Sequence, residues 1–168
     1  SLDERFDNQI NFLESNLDYG VIGSNVFLID SNSKIFEEIK FEENSYILKH
    51  KIQYQHVFNS ATLMFRKSAV DVVGGYNPKY EMVNDYDLLF RISKKYEISC
   101  LNKTLVCNRQ HGNNLSYKKI VKGQLELLHL QKNIYKEIYS FRAKINLLQN
   151  MFLTFLRIIY HSFKIKKS

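Results

Sequence analysis

Helical stripes and short β-branched runs alternate along this chain, and that alternation most limits what it can fold into. Phe6, Ile10, Leu13 and Leu17 recur at i, i+4, i+7 and i+11, the spacing of one apolar helix face. Ser1, with Glu4 three residues on, has the spacing of a capping box for that helix. Residues 21–30 are rich in β-branched residues, bounded by turn formers, and read as a strand. A turn at 31–34 lets residues 35–39 return as a short hairpin partner, whereas residues 40–58 carry no clean period. Residues 61–65 read as a second buried strand and 67–73 as a short helix, stopped by Gly74-Gly75-Tyr76-Asn77-Pro78. Asn84 stands at the N-cap position of the next helix, which has Asp85 and Asp87 in its first turn and runs to Lys95. Strands at 98–101 and 104–108, a polar loop at 110–116 and a helical pattern that begins at Tyr117 and splits near Ser140 complete an α/β chain.

Length and composition keep this to one ordinary globular domain. The 168 residues are 45% hydrophobic and 24% charged, which excludes disordered and fibrous chains. Two cysteines, Cys100 and Cys107, cannot build a disulfide framework and suit a reducing compartment. The first residues lack the apolar core of a secretory signal, and no run approaches the ~18 apolar residues of a spanning helix. The expected location is therefore cytoplasmic.

The net charge of +7 is unevenly spread. Residues 1–117 carry thirteen Lys and Arg against fifteen Asp and Glu, a net −2; residues 118–168 carry eleven against two, a net +9. In the second half of that last segment Asn146, Gln149, Asn150, Thr154, Arg157, His161 and Lys164 make a narrow polar stripe on an otherwise apolar helix. Such a helix suits an anionic membrane surface, the peripheral inner face of the plasma membrane, through residues 141–167. It equally suits a cap on the domain core or a dimer contact. It lacks the aromatic interleaving of a single-strand binder and matches no nucleic-acid motif, so no specific nucleic-acid partner is expected.

Few residues carry chemistry on type alone. Asp85-Tyr86-Asp87 is either a two-carboxylate clamp for a divalent cation or acidic dressing of a helix start. Gly74-Gly75 has no phosphate-loop spacing and is by itself a turn. His111, alone in a polar loop, is either a solvated surface histidine or a metal ligand, and His56 and His129 have no partners in sequence and read as structural.

The order of these pieces adds a resemblance. Asp18-Tyr19-Gly20-Val21-Ile22-Gly23-Ser24, Leu63-Met64-Phe65-Arg66-Lys67-Ser68-Ala69, Val73-Gly74-Gly75-Tyr76-Asn77, Asn84-Asp85-Tyr86-Asp87-Leu88-Leu89-Phe90-Arg91 and the loop from Arg109 through His111 to Ser116 follow in series. Together they resemble the later, acceptor-side half of an inverting family 2 glycosyltransferase of the GT-A fold, over roughly residues 1–116. The resemblance implies a partial, Rossmann-like GT-A domain over 1–116 with a basic helical extension over 117–168. It implies a nucleotide-sugar donor, a glycan or lipid-linked acceptor, and a place in bacterial surface-polysaccharide synthesis. In that family the donor half, with its metal-binding D-x-D, precedes a segment like Leu2-Asp3-Glu4-Arg5-Phe6. The 168 residues here are accordingly expected to be inactive alone and, cut mid-sheet, to self-associate.

Residue by residue, the resemblance places the catalytic base at Asp85, with Asn84 where the family's acidic pair has Glu. Gly74, Gly75 and Tyr76 fall on the loop flanking the acceptor pocket, where Tyr76 either stacks on a sugar or packs in the core. Arg91 falls on an anchoring arginine. Asn59-Ser60 stands where the family often has a histidine. His111 falls on a late-loop histidine that completes the shell of a divalent cation, Mn or Mg, held mostly by residues outside this chain, or meets the diphosphate. The alternative reading is a catalytically silent fragment, an acceptor-binding or membrane-docking module that needs a donor-binding half.

Overall fold

A computed structural model describes residues 1–110, 119–138 and 140–165, and within it the chain is a mixed α/β structure with a four-stranded sheet. The sheet is organised around β1 (Tyr19–Ile29). Eight of its eleven residues are buried, with Gly20–Val26 buried without a break, as a strand covered on both faces must be. Strand β4 (Glu97–Arg109) runs parallel to β1 along its whole length. Two short antiparallel strands share the other edge: β2 (Ile35–Ile39) pairs with Val26–Ile29, and β3 (Met64–Phe65) pairs with Val21 and Ile22. The expected hairpin at 31–34 therefore forms. Of the strand expected at 61–65 only the last two residues pair as a strand, because Asn59 caps a 3₁₀ turn over Ser60–Thr62, its side chain accepting from the Ala61 N–H.

The two strands expected at 98–101 and 104–108 are one. Ser24 pairs with Leu101 but Asn25 pairs with Thr104, so exposed Asn102 and Lys103 bulge out of β4 without ending it. Buried Asn25 secures the irregularity from below, its amide oxygen accepting the Phe41 N–H at 2.9 Å. Cys100 sits beside it, and burial, with Glu43 nearby, pushes its thiol up to about 12, leaving an inert core residue.

The helices are α1 (Arg5–Ser15), α2 (Ser45–Lys51), α3 (Lys67–Val72), α4 (Asn84–Ser93), α5 (Ile120–Glu137) and α6 (Phe141–Ile165). Helix α2 lies in the stretch that carried no period. Helices α5 and α6 divide where the pattern splits, and Leu130, Ile134, Ile138, Ala143 and Leu147 join the same buried cluster as Val21, Leu88 and Ile98. Among the described residues no helix is long and apolar enough to cross a membrane.

Helix α1 corrects two expectations. Its N-cap is Glu4, with no side-chain cap bond, and Ser1 instead accepts from Arg5. Its apolar stripe does not face inward: Phe6, Ile10 and Leu17 are exposed, while Gln9 and Leu13 are buried. Gln9 Nε2 donates to the carbonyls of Ile22 (3.2 Å) and Thr62 (2.8 Å), and its own Oε1 accepts from Arg5 Nε. Buried carbonyls left without donors would cost about 1–3 kcal/mol each, comparable to what burying Phe6 returns, so the helix is rotated to satisfy them.

A close approach positions the segment that leads to the site. A Cβ on Gly23 would lie 2.8 Å from Phe58 Cδ1, so the Phe58 ring rests directly on the β1 backbone. Gly23→Ala is expected to cost about 1–3 kcal/mol, the ordinary penalty of overpacking a filled core. Urea unfolding followed by circular dichroism measures it, and an unchanged midpoint would mean that Phe58 moves aside freely.

Candidate active site

Helix α4 supplies the centre of the site. Its N-cap is Val83 rather than Asn84, so Asn84 is the first helical residue, and Asp85 and Asp87 occupy the first turn as expected. Asn84 Oδ1 accepts the Asp85 N–H at 2.8 Å, and Asp85 Oδ1 accepts the Tyr86 N–H at 2.8 Å. Both bonds use the free amides that every helix start leaves, and the dipole favours the carboxylate there.

The second Asp85 oxygen, Oδ2, faces two residues from the 56–60 segment. Ser60 Oγ donates to it, and His56 Nε2 lies 3.8 Å away. His56 Nδ1 accepts from the Phe58 N–H at 3.4 Å, which leaves the ring proton on Nε2. That Nε2 is buried with no hydrogen-bond partner among the described residues. The imidazole stands edge-on to Tyr86, with ring centroids 5.3 Å apart at 90°. Tyr86 is itself buried, donates its hydroxyl to the Ile52 carbonyl at 3.0 Å, and has its phenol pushed up by burial, so it stays protonated.

These groups line a cavity of about 230 Å³ bounded by His56, Ser60, Met82, Val83, Asp85, Tyr86 and Leu127. Leu127 comes from α5, so the segment expected as an extension forms one wall. Glu126 holds it there, with Oε2 accepting the N–H groups of Glu81 (2.9 Å) and Met82 (2.7 Å). Glu81 in turn receives Lys119 and Lys122, which hold its carboxyl down to about 2.

Burial lowers the His56 pKa, and the Asp85 charge opposes that only in part. The unfolded chain, with an ordinary histidine pKa of about 6.5, then takes up its proton first. Stability is thus full above that value and is lost as pH falls below about 6.5. Wild-type and His56→Gln proteins, compared by urea unfolding between about pH 7.5 and 5.5, should differ in slope, with the variant flatter. Parallel curves would show that His56 charges freely in the folded protein.

The structure separates the two aspartates that sequence put together. Asp85 meets Ser60 and His56, whereas Asp87 accepts two bonds from Arg91, from Nε at 2.9 Å and Nη2 at 2.7 Å. The clamp reading of Asp85-Tyr86-Asp87 is thereby corrected: one carboxylate faces the cavity, and the other is already committed to a guanidinium. Among the described residues no group of three His, Cys, Asp or Glu side chains could hold a metal ion. The residues described do not fit the divalent cation that the resemblance implies, and no step below runs through one. His111 lies outside the described residues.

Arg91 also donates to the carbonyls of Val73 (2.6 Å) and Gly75 (2.7 Å), which ties the glycine turn to α4. Gly74 and Gly75 have φ of +79° and +72°, and a Cβ on either would meet nothing within 4 Å. The glycines are required by backbone conformation, not by crowding. Tyr76 is exposed, so its core-packing alternative is set aside. None of Gly74, Gly75, Tyr76 or Asn84 lines the Asp85 cavity.

His56, Ser60, Met82 and Leu127 went unrecognised as site residues in sequence. His56 is an isolated histidine in a stretch without period, and its neighbour at the site lies on another element. His129, also read as structural, has Nδ1 at 3.1 Å from the Tyr80 hydroxyl and serves to seat α5.

No family model matches the chain, and no curated protein matches it.

Proposed function

We propose that this chain is the acceptor side of an inverting glycosyltransferase of the GT-A type, with Asp85 as general base. The observation that carries the reading is the Ser60 hydroxyl donating to Asp85 Oδ2 at the edge of a cavity. Asp85 thus accepts from an alcohol O–H, the same kind of donor that an acceptor sugar would offer. In the transfer, that sugar oxygen bonds to the anomeric carbon of the donor as the carbon–oxygen bond to the nucleoside diphosphate breaks on the opposite face. The diphosphate leaves with the electron pair, and the hydroxyl proton passes to Asp85. His56 serves as a neutral wall: burial lowers its pKa, so it does not pair Asp85 as an imidazolium.

The ordered blocks from Asp18 to Ser116 support the same reading, as does the first-turn placement of Asp85. The exposed Tyr76 beside the positive-φ glycine turn supplies a flat ring for a sugar face. The divalent cation, Mn or Mg, belongs to this proposal only through residues beyond those described.

Sugar transfer in extracts of cells that produce this chain together with a donor-binding half tests the reading. Nucleotide sugars are supplied, and the anomeric configuration of the product is read by NMR. A chain-dependent product of inverted configuration supports it. A retained configuration, or no difference from extracts lacking the chain, overturns it.

A further inference from the structure

Helix α6 has two apolar faces, and only one of them is used. Ala143, Leu147 and Thr154 are buried where the helix packs on α5. On the far side Phe141, Ile145, Leu148, Phe152, Phe155 and Ile159 repeat at spacings of four and three, and all are exposed, Phe141 to 79% and Phe152 to 62%. That stripe is about 27 Å long at 1.5 Å per residue. An unbroken apolar strip of this length marks a contact surface and not scattered surface leucines.

Charge decides what covers it. Helix α6 contains no Asp or Glu, while Arg142 and Lys144 flank the strip on its two sides and the segment 118–168 carries a net +9. Arg142 is exposed, and Lys144 rests over the Tyr135 ring of α5 at 5.2 Å. A second copy laid α6 against α6 would bring like charges together with no acidic residue in the helix to offset them. We propose that α6 lies flat on an anionic lipid surface, its phenylalanine strip at the acyl boundary and the flanking Arg142 and Lys144 at the level of the lipid phosphates. Because α6 packs on α5, and α5 walls the Asp85 cavity through Leu127, docking would hold that cavity beside the bilayer. The proposal rests on α6 alone and stands whether or not Asp85 is a base.

Flotation of the 168-residue chain with vesicles of phosphatidylcholine, with and without phosphatidylglycerol, tests it. Binding should be tighter by roughly tenfold or more with the anionic lipid, and should weaken as salt rises. Replacing Arg142 and Lys144 by Gln together should weaken it by roughly 30-fold, at about 1 kcal/mol per cation. Phe152→Asp with Phe155→Asp should abolish it while the far-ultraviolet spectrum and melting temperature are kept, since both side chains are exposed. Equal affinity for both vesicles, binding that survives the Phe152→Asp/Phe155→Asp variant, or a dimer in light scattering that this variant splits without any vesicle affinity would each overturn the proposal.

Discussion

Asp85→Asn is expected to reduce sugar transfer by roughly 10²–10⁴-fold in kcat, the contribution of a positioned general base. An amide of the same shape cannot take the acceptor proton. Its single oxygen can keep the Tyr86 N–H, and its amide NH2 can donate to Ser60 Oγ where the carboxylate accepted, so KM should change little. His56 is no substitute, because its Nε2 carries a proton and lies 3.8 Å from the carboxylate. Losing a negative charge from a first helical turn costs about 0.3–1 kcal/mol, which leaves the fold intact and isolates the chemical effect. Initial rates for wild type and variant, each supplied with the donor-binding half, at saturating acceptor measure this. A change of less than about threefold would remove Asp85 from the base role.

Arg91→Ala should have the largest effect on stability. The guanidinium joins Asp87, the Val73 carbonyl and the Gly75 carbonyl in one set of four bonds. Asp87 is 6% exposed, and truncating Arg91 leaves its carboxylate without its partner in a dry setting. Breaking a buried pair costs about 3–5 kcal/mol; the Arg91 side chain retains some exposure, which places the expected loss near about 3 kcal/mol. Arg91→Ala combined with Asp87→Leu should recover part of that loss, because no buried charge then remains unpaired. Urea midpoints of the single and double variants decide the matter. A single-variant loss below about 1 kcal/mol would reduce this set to an ordinary surface pair, and a double variant no better than the single would refute the unpaired-charge explanation. The same substitution releases the Gly74-Gly75 turn, whose positive φ angles are held in place by two of the four bonds.

Much of the backbone plan was legible along the chain. The run at 21–30, rich in β-branched residues, supplied most of the central strand, the turn at 31–34 produced the hairpin, and the break near Ser140 separated α5 from α6. Such features depend on backbone propensity and turn chemistry over a few residues, and neighbours in sequence suffice to express them. Asp85 in the first turn of α4 was legible for the same reason. The acid-free, doubly apolar character of α6 was likewise open to inspection, since helical spacing sorts side chains into faces before any tertiary contact forms.

What surrounds Asp85 was decided in three dimensions. Three segments meet there: the end of the 3₁₀-capped stretch with His56 and Ser60, the start of α4, and Leu127 on α5. Their meeting depends on the Phe58 ring lying on Gly23 and on Glu126 gripping the Glu81 and Met82 amides, and neither contact has a local signature. Helix α1 makes the same point in reverse. Its apolar spacing predicted which face would be buried, but two carbonyls on other elements required donors, and Gln9 supplied both. Local sequence determined which elements form and which groups each one carries. The pairing of buried polar groups across distant elements determined which faces turn inward, and so which side chains stand beside the carboxylate.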